Sequence, residues 1–297
     1  MKIVHSYWSK PSILYNKSSN EKAFGGWRDK KYEYMSWALS CLTLKKFYPN
    51  IELVTDIAGK NLLIDKLQLP YKTVRIDLDC LNKYPEQLWA IGKLYTYSIQ
   101  NEPFIHVDND VFIWERFSNA VENAPLVAQH IDDDERDYNF AFNYLKKNNI
   151  KIPTFLEDDL KKYHRFNSSN AGIIGGNDFA FFKEYTKEAF GFIDSQLDKI
   201  NQSIKGSLYA IIYEQYLYSV MARKKGIRIQ HVFEEEEKKS MDLVNFMNKY
   251  RKKKYVHLYA FSKYFPEYCR ELEHQLLLEY PEFHSIIMSI IKNDHSK

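Results

Sequence analysis

The stretch FIHVDNDVFIW, residues 104–114, places two carboxylates inside an apolar run. The residues around the acids are mostly aromatic or β-branched, a composition that is typical of a buried strand. Asp108 and Asp110 fall where this strand is expected to end. An apolar strand rarely carries two charged side chains within its own run, so the pair requires a structural or a functional explanation.

The residues before this stretch alternate between strand patterns and helix patterns. Strands are predicted at 2–8, 51–56 and 72–78, helices at 31–48, 59–69 and 85–100, and a long loop at 9–30. This alternation predicts βαβ units with a mostly parallel sheet and right-handed crossovers. Ligands bind beyond the carboxyl ends of the strands in such sheets, and Asp108 and Asp110 are expected at one of these ends.

The residues after the stretch follow a less regular order. Strands are predicted at 124–130, 170–177, 227–233 and 255–261, and helices at 137–150, 155–164, 178–200, 208–226 and 267–280, followed by a charged tail. We therefore predict an α/β fold with a Rossmann-type, mostly parallel sheet flanked by helices and a C-terminal helical elaboration. Residues 1–265 would form the main domain, and 266–297 the C-terminal helix and charged tail, as part of that domain or as an appendage.

The composition is that of an ordinary globular protein and argues against several classes of function. The chain has 297 residues, of which 45% are hydrophobic and 27% charged, and its net charge of +3 with mixed signs does not favour a nucleic-acid binder. Cys41, Cys80 and Cys269 are far apart, which does not support a disulfide framework or a zinc knuckle. No apolar window approaches about 18 residues, which predicts a cytoplasmic protein without a transmembrane segment and leaves peripheral membrane association open.

The spacing of the two aspartates has a chemical use. Two carboxylates one residue apart can converge on one divalent cation when the strand relaxes into a turn. Their hard oxygen ligands suit Mg²⁺ or Mn²⁺, which often bind a substrate diphosphate as well. The alternative is that these acids cap a turn or the following helix.

In this context, residues 104–114 resemble the metal-binding strand end of GT-A-fold glycosyltransferases, in particular the retaining glycogenin and lipopolysaccharide galactosyltransferase type. Three further segments follow in the order of that family: NSSNAGIIGGND (167–178), IIYEQYLYS (211–219) and HLYAFSK (257–263). The resemblance consists of separate motifs rather than continuous similarity. It implies that residues 1–265 form a GT-A-like domain.

The resemblance implies a metal site that is formed by Asp108, Asp110 and His257 and holds Mn²⁺ or Mg²⁺ across a diphosphate. Lys263, six residues after His257, would contact the diphosphate. Ala260 stands where the family has Gly, so the spacing of this segment is kept while its consensus is not.

The resemblance also implies contacts to the donor. Lys93 would contact the donor sugar or its phosphate, although the family commonly has Arg at that place. Asn170 would bring its polar side chain to the sugar. The other predicted donor-binding residues are His5, Ser6 and Tyr7 at the end of the first strand, and Asn109 between the paired acids.

The implied reaction is the transfer of a sugar from a nucleotide-diphosphate sugar, by family analogy a UDP-sugar, to an acceptor that is a glycan, a peptide or a small molecule. Glu214 and Gln215 match the family's catalytic pair, in which Asp more often precedes the Gln. Glu214 could act as a nucleophile, whereas Gln215 could only stabilise through its amide. Retention by front-face attack fits Gln215 better, and an inverting reaction would need a carboxylate base such as Asp178 or Glu214.

Three further interpretations stay open. The chain could be a catalytically silent nucleotide-sugar-binding or scaffold protein of the same fold. It could instead be a metal-dependent phosphohydrolase or nuclease, in which Asp56 and Asp77 join the paired acids. The loop at 9–30 could close over the donor, with Trp8 and Trp27 stacking on sugar faces, or the two tryptophans could simply pack this loop down.

Overall fold

The computed structural model describes residues 1–18, 24–132, 134–203, 206–233 and 240–294. The chain divides into two compact units, each of which is assembled from separate segments. The first unit comprises residues 1–79, 107–116 and 238–297, and the second comprises residues 80–106 and 117–237.

The strands of the described residues are short. They are β1 Lys2–Tyr7, β2 Ile51–Thr55, β3 Thr73–Ile76, β4 Phe104–Val107, β5 Val111–Ile113, β6 Leu126–Ala128, β7 Ile131–Asp132, β8 Ser168–Ser169, β9 Ile173–Gly176, β10 Ile229–His231 and β11 Tyr255–His257.

Helices of very different lengths connect these strands. They are α1 Lys10–Ser18, α2 Lys30–Lys45, α3 Ile57–Lys60, α4 Ile91–Ser98, α5 Asn119–Glu122, α6 Glu135–Lys147, α7 Thr154–Tyr163, α8 Phe179–Asp194, α9 Leu197–Ser203, α10 Gly206–Ala210, α11 Leu217–Lys225, α12 Ser240–Leu243, α13 Pro266–Glu279 and α14 Pro281–Asp294. Wider π-helical turns span Asn61–Lys66 and Ile211–Tyr216. Short 3-10 helices span Phe24–Gly26, Leu78–Lys83, Glu86–Leu88, Phe246–Tyr250 and Ala260–Tyr264.

The main sheet of the protein is mostly parallel. Its strands follow the order β1-β2-β3 in the first unit and β10-β6-β9-β4 in the second. The pairs β1–β2, β2–β3 and β10–β6 are parallel, and the pair β6–β9 is antiparallel. The predicted fold class, a mostly parallel α/β sheet flanked by helices, is therefore confirmed.

The core of the first unit lies between its sheet and the helices α2, α13 and α14. Side chains from the whole length of this unit are buried in it, including Met35 on α2, Leu53 on β2 and Leu272 on α13. In the second unit, an aromatic cluster fills the core, where the rings of Phe104 and Phe182 lie 4.8 Å apart. The large number of aromatic residues in the sequence is thus used mainly for packing.

Two predictions of irregular structure are wrong. Residues 10–18 form α1, although their Ser and Asn content indicated a loop, because Pro11 suits the first turn of a helix. Residues 281–294 form α14 instead of a charged tail, because Phe283, Ile287 and Ile291 recur at helical spacing and pack on the core of the first unit. Residues 19–23 of the predicted loop and 295–297 of the tail lie outside the described residues. The division into domains at residue 265 stays a prediction.

Candidate active site

The paired aspartates lie in a turn and not within a strand. β4 ends at Val107, and β5 begins at Val111, so the predicted single strand over 104–114 is two strands. The amide of Val111 donates to the carbonyl of Asp108 at 3.1 Å and closes the turn. The acids interrupt the apolar run because the chain changes direction there.

His257 reaches this turn through antiparallel pairing of β11 with β5. In the register of the two strands, His257 faces Val111, the residue that follows Asp110. The amide of Leu258 also donates to the carbonyl of Asp110 at 2.9 Å. As a result, one ligand atom from each of Asp108, Asp110 and His257 lies within 4.8 Å of the others. The structure brings together the three residues that the resemblance groups as metal ligands.

Two basic side chains surround the carboxylate of Asp110. The ammonium of Lys263 lies 2.7 Å from Oδ2, and Nε2 of His257 lies 3.3 Å from Oδ1. Burial alone would raise the pKa of Asp110, but the nearby Lys263 and His257 together hold that pKa well below its usual range. Asp110 is therefore ionised at neutral pH, as a metal ligand must be.

The residues of this cluster fit a divalent cation. Two carboxylates and one imidazole are common ligands for such ions. Nδ1 of His257 is buried and has no hydrogen-bond partner among the described residues, whereas Nε2 lies 3.3 Å from Oδ1 of the ionised Asp110. Asp108, Asp110 and His257 could thus hold a cation without the loss of a hydrogen bond at Nδ1.

Lys263 links this cluster to the segment before α2. Its ammonium donates to the carbonyl of Gly25 at 3.1 Å, and its own carbonyl accepts from the amide of Arg28 at 3.2 Å. The ammonium also lies 5.6 Å from the centre of a ring of Trp27. Gly25 and Gly26 have φ angles of +61° and +87°, which favour glycine. The segment 24–28 therefore needs its two glycines to reach the lysine.

Ala260 has a left-handed backbone, with φ at +48°. An L side chain costs roughly 1–2 kcal/mol in this region, and the exposed methyl group of Ala260 contributes little packing. We expect Ala260→Gly to raise the free energy of unfolding by about 1 kcal/mol in a urea titration. In the control Ala58→Gly, in α3, stability should fall, since Gly disfavours a helix. A loss of stability in Ala260→Gly would contradict the strain at this position.

The end of β1 does not place an imidazole at the surface. The side chain of His5 is fully buried; its Nδ1 lies 2.7 Å from the hydroxyl of Tyr71, and its Nε2 lies 3.3 Å from that of Ser40. Burial lowers the pKa of His5 to about 3, against the opposing charge of Asp110, so the ring is neutral. Tyr71 and Ser40 therefore hold the His5 side chain inside the fold, and its contact with a nucleotide stays a prediction.

The other two predicted residues of this strand end differ in exposure. Ser6 is half-buried, and Tyr7 is buried with its ring 5.0 Å from that of Trp37. Trp8 and Trp27 are also buried, at 5% and 2% exposure. Their burial agrees with the interpretation that the tryptophans pack the segment down.

Glu33 is a buried carboxylate that the sequence analysis missed. It lies on α2 at 4% exposure, where the hydroxyl of Ser12 donates to Oε1 at 3.0 Å. Burial raises the pKa of Glu33 to about 7, although Ser12, Lys263 and Lys30 act against this rise. The burial of Glu33 could have been predicted from its position, because it lies one helical turn before Trp37 on the apolar side of α2.

The raised pKa of Glu33 predicts a pH dependence of stability. Between its ordinary value of 4.5 and about 7, the folded protein binds a proton that the unfolded chain has lost. The free energy of unfolding therefore falls as pH rises through this range, by about 3 kcal/mol from this group. We expect Glu33→Gln to remove this fall, as measured by urea unfolding at pH 5 and pH 8. Glu282→Gln, at an exposed position, should keep it; equal profiles for the two variants would disprove the assignment.

The second unit holds a separate group of predicted site residues. The ammonium of Lys93, on α4, lies 2.9 Å from Oε1 of Glu214 and donates to the carbonyl of Ala171 at 3.0 Å. The hydroxyl of Tyr97 also donates to Oε1 of Glu214, at 3.1 Å. Lys93 and Glu214 are 7% and 2% exposed, so they form a buried ion pair. Lys93 is thus buried, although it lies on a helix.

Gln215 and Asn170 belong to the same group. Oε1 of Gln215 accepts from the amide of Ala171 at 3.3 Å, and Oδ1 of Asn170 accepts from the amide of Gly172 at 2.9 Å. Both side chains are half-buried. Glu214 and Gln215 lie in the π-helical turn 211–216, a feature that is frequent at functional sites.

The remaining predicted acidic and amide residues have local partners. The carbonyl of Asn109 accepts from the hydroxyl of Ser36 at 2.8 Å. Asp56 accepts from the amide of Ser9 at 2.8 Å and caps α3, and Asp77 pairs with Arg75 at 2.7 Å. Within the described ranges, the cluster of Asp108, Asp110 and His257 is the group of acidic, His and Cys side chains that is close enough to hold a metal. The phosphohydrolase interpretation therefore lacks its additional carboxylates.

A family model matches residues 1–290, and the chain belongs to this family, which is described as a family of unknown function, DUF6734. No curated protein matches the chain. In the part of the chain that the structure describes, no helix combines the length and the apolar character that a membrane crossing requires.

Several solved structures of glycosyltransferases are similar to this chain. The galactosyltransferase LgtC, in complex with donor and acceptor sugar analogues, is 11% identical with a TM-score of 0.38, over 72% of this chain and 70% of that one. Mouse xyloside xylosyltransferase 1, in its apo form, is 10% identical with a TM-score of 0.39, over 77% and 84%. The glycosyltransferase GlyE of Streptococcus pneumoniae is 8% identical with a TM-score of 0.40, over 99% and 64%. At these identities the likeness is one of fold class alone.

Proposed function

We propose that this protein is a metal-dependent glycosyltransferase, which moves a sugar from a nucleotide-diphosphate sugar, in the first instance a UDP-sugar, to an acceptor. The observation that carries this proposal is the convergence of Asp108, Asp110 and His257 beside the ammonium of Lys263. Such a set can hold a divalent cation and can also attract the phosphates that the cation binds. Two carboxylates alone would offer only the first of these properties.

Each residue of the cluster has a distinct proposed task. Asp108, Asp110 and His257 would hold Mn²⁺ or Mg²⁺, and the bound cation supplies Lewis-acid neutralisation of the leaving diphosphate. Lys263 would add positive charge where the leaving phosphate oxygens become more negative. Because this charge is needed most in the transition state, the lysine would accelerate the chemical step rather than only bind the donor.

In the second unit, we assign the binding of the transferred sugar to four residues, Lys93, Asn170, Glu214 and Gln215. Glu214 is held by Lys93 and Tyr97, which makes its carboxylate a support for the lysine and not a free nucleophile or base. Gln215 has no acidic or basic chemistry, so it can only stabilise positive charge on the sugar through its amide oxygen. This arrangement favours retention by front-face attack of the acceptor.

A donor screen tests the proposal. The protein is incubated with Mn²⁺ and a panel of sugar nucleotides, with and without mixed glycan, peptide and small-molecule acceptors, and the release of nucleoside diphosphate is measured. We expect release from one donor, and removal of Mn²⁺ by a chelator should stop it. Thermal stabilisation by UDP and Mn²⁺ without any release would favour the silent binding protein. The absence of both release and stabilisation would refute the proposed function.

A further inference from the structure

Without a cation, the carboxylates of Asp108 and Asp110 and the ammonium of Lys263 leave one net negative charge. The carboxylates of Asp108 and Asp110 lie together, the ammonium of Lys263 contacts that of Asp110, and a metal-binding His257 would be neutral. A divalent cation bound alone would therefore give the cluster a net positive charge. Since the side chains of Asp110 and His257 are buried to more than nine-tenths, water screens this excess charge only weakly.

The ammonium of Lys263 cannot move away from Asp110 freely. It holds the carboxylate oxygen at 2.7 Å and the carbonyl of Gly25 at 3.1 Å. The backbone of Lys263 is fixed as well, since its carbonyl accepts from the amide of Arg28 at 3.2 Å and from the thiol of Cys269 at 3.3 Å. A cation on Asp110 would therefore meet a nearby positive charge that has been positioned in advance.

We infer that Lys263 makes the binding of the divalent cation depend on the binding of a diphosphate anion. The lysine weakens the affinity for the metal alone, because it repels the cation across one shared carboxylate. A diphosphate that joins the metal cancels the excess positive charge, so the two ligands bind cooperatively. By reciprocity, the metal raises the affinity for the diphosphate by the same factor. This inference rests on the proposed function and concerns the order and coupling of ligand binding in the same site.

Metal binding without turnover tests this coupling. Mn²⁺ affinity is measured by the loss of the electron paramagnetic resonance signal of the free ion, with and without UDP, after subtraction of protein-free blanks. We expect UDP to raise the Mn²⁺ affinity of the natural protein about tenfold or more. In Lys263→Met, the affinity for Mn²⁺ alone should rise about tenfold or more, and the effect of UDP should shrink accordingly.

Two matched variants show that the effect belongs to the charge at this position. Lys263→Arg keeps the charge and should keep the coupling, and it also covers the case in which Lys263→Met does not fold. Lys252→Met removes an exposed lysine outside the cluster and should leave both affinities unchanged. Unchanged or weaker binding of Mn²⁺ alone by Lys263→Met would overturn the inference. Coupled binding without sugar transfer would refute the proposed function but leave the inference intact. Sugar transfer without coupled binding would overturn the inference but leave the proposed function intact.

Discussion

Asp110→Asn is expected to lower the affinity for Mn²⁺ by about a hundredfold or more, together with any metal-dependent release of nucleoside diphosphate. Asp110 is the residue of the cluster that faces both His257 and Lys263, at 3.3 Å and 2.7 Å. Asparagine keeps the shape of the side chain but removes the negative charge. The metal then loses a charged ligand and still meets the ammonium of Lys263, so both changes weaken binding in the same direction.

The same measurement needs a control for the loss of one acidic charge. Asp65 is exposed in the same unit and pairs with Lys60 at 2.8 Å, and surface pairs of this kind contribute little to stability. Asp65→Asn should therefore leave Mn²⁺ binding unchanged. A folded Asp110→Asn protein, with an unchanged far-ultraviolet circular dichroism spectrum, that binds Mn²⁺ as tightly as the Asp65→Asn protein would rule out the metal site.

Local sequence patterns were sufficient to predict the regular elements of the sheet. The runs that form β1, β2 and β4 are apolar and β-branched, and the helices between them follow a helical period, so the α/β class could be inferred. The prediction of a charged tail at 281–294 is wrong because the isoleucines of this segment recur at helical spacing. The composition of a segment indicates its average polarity, whereas the spacing of its apolar residues indicates which face is buried.

The site was predicted only in part, because its parts depend on contacts between distant segments. The Asp-x-Asp spacing is local, and by itself it allows either a cation site or a cap of a turn. The approach of His257 depends on the pairing of β11 with β5, which no local pattern reveals. The place of His257 in the predicted site follows from the family resemblance alone. The burial of His5 and Glu33 is likewise a tertiary property, since their pKa values are set by the side chains that surround them.

Lys93→Met is expected to lower the free energy of unfolding by about 3–5 kcal/mol, because it leaves the carboxylate of Glu214 buried without its positive partner. Glu214 is 2% exposed and 2.9 Å from the ammonium. The double variant Lys93→Met/Glu214→Gln removes both charges and keeps an acceptor for the hydroxyl of Tyr97. It should therefore recover at least half of the loss in urea unfolding experiments.

An exposed ion pair of the same unit serves as the control for Lys93→Met. Lys225 lies 2.6 Å from Glu184, with side chains that are 38% and 57% exposed, so Lys225→Met should cost no more than about 1 kcal/mol. If Lys93→Met costs as little as Lys225→Met, the pair is not buried in solution. Glu214→Gln is also measured alone. If the loss in the double variant equals the sum of the losses in Lys93→Met and Glu214→Gln, Lys93 and Glu214 do not act on each other, and the support that Glu214 gives to Lys93 in the proposed sugar site is removed.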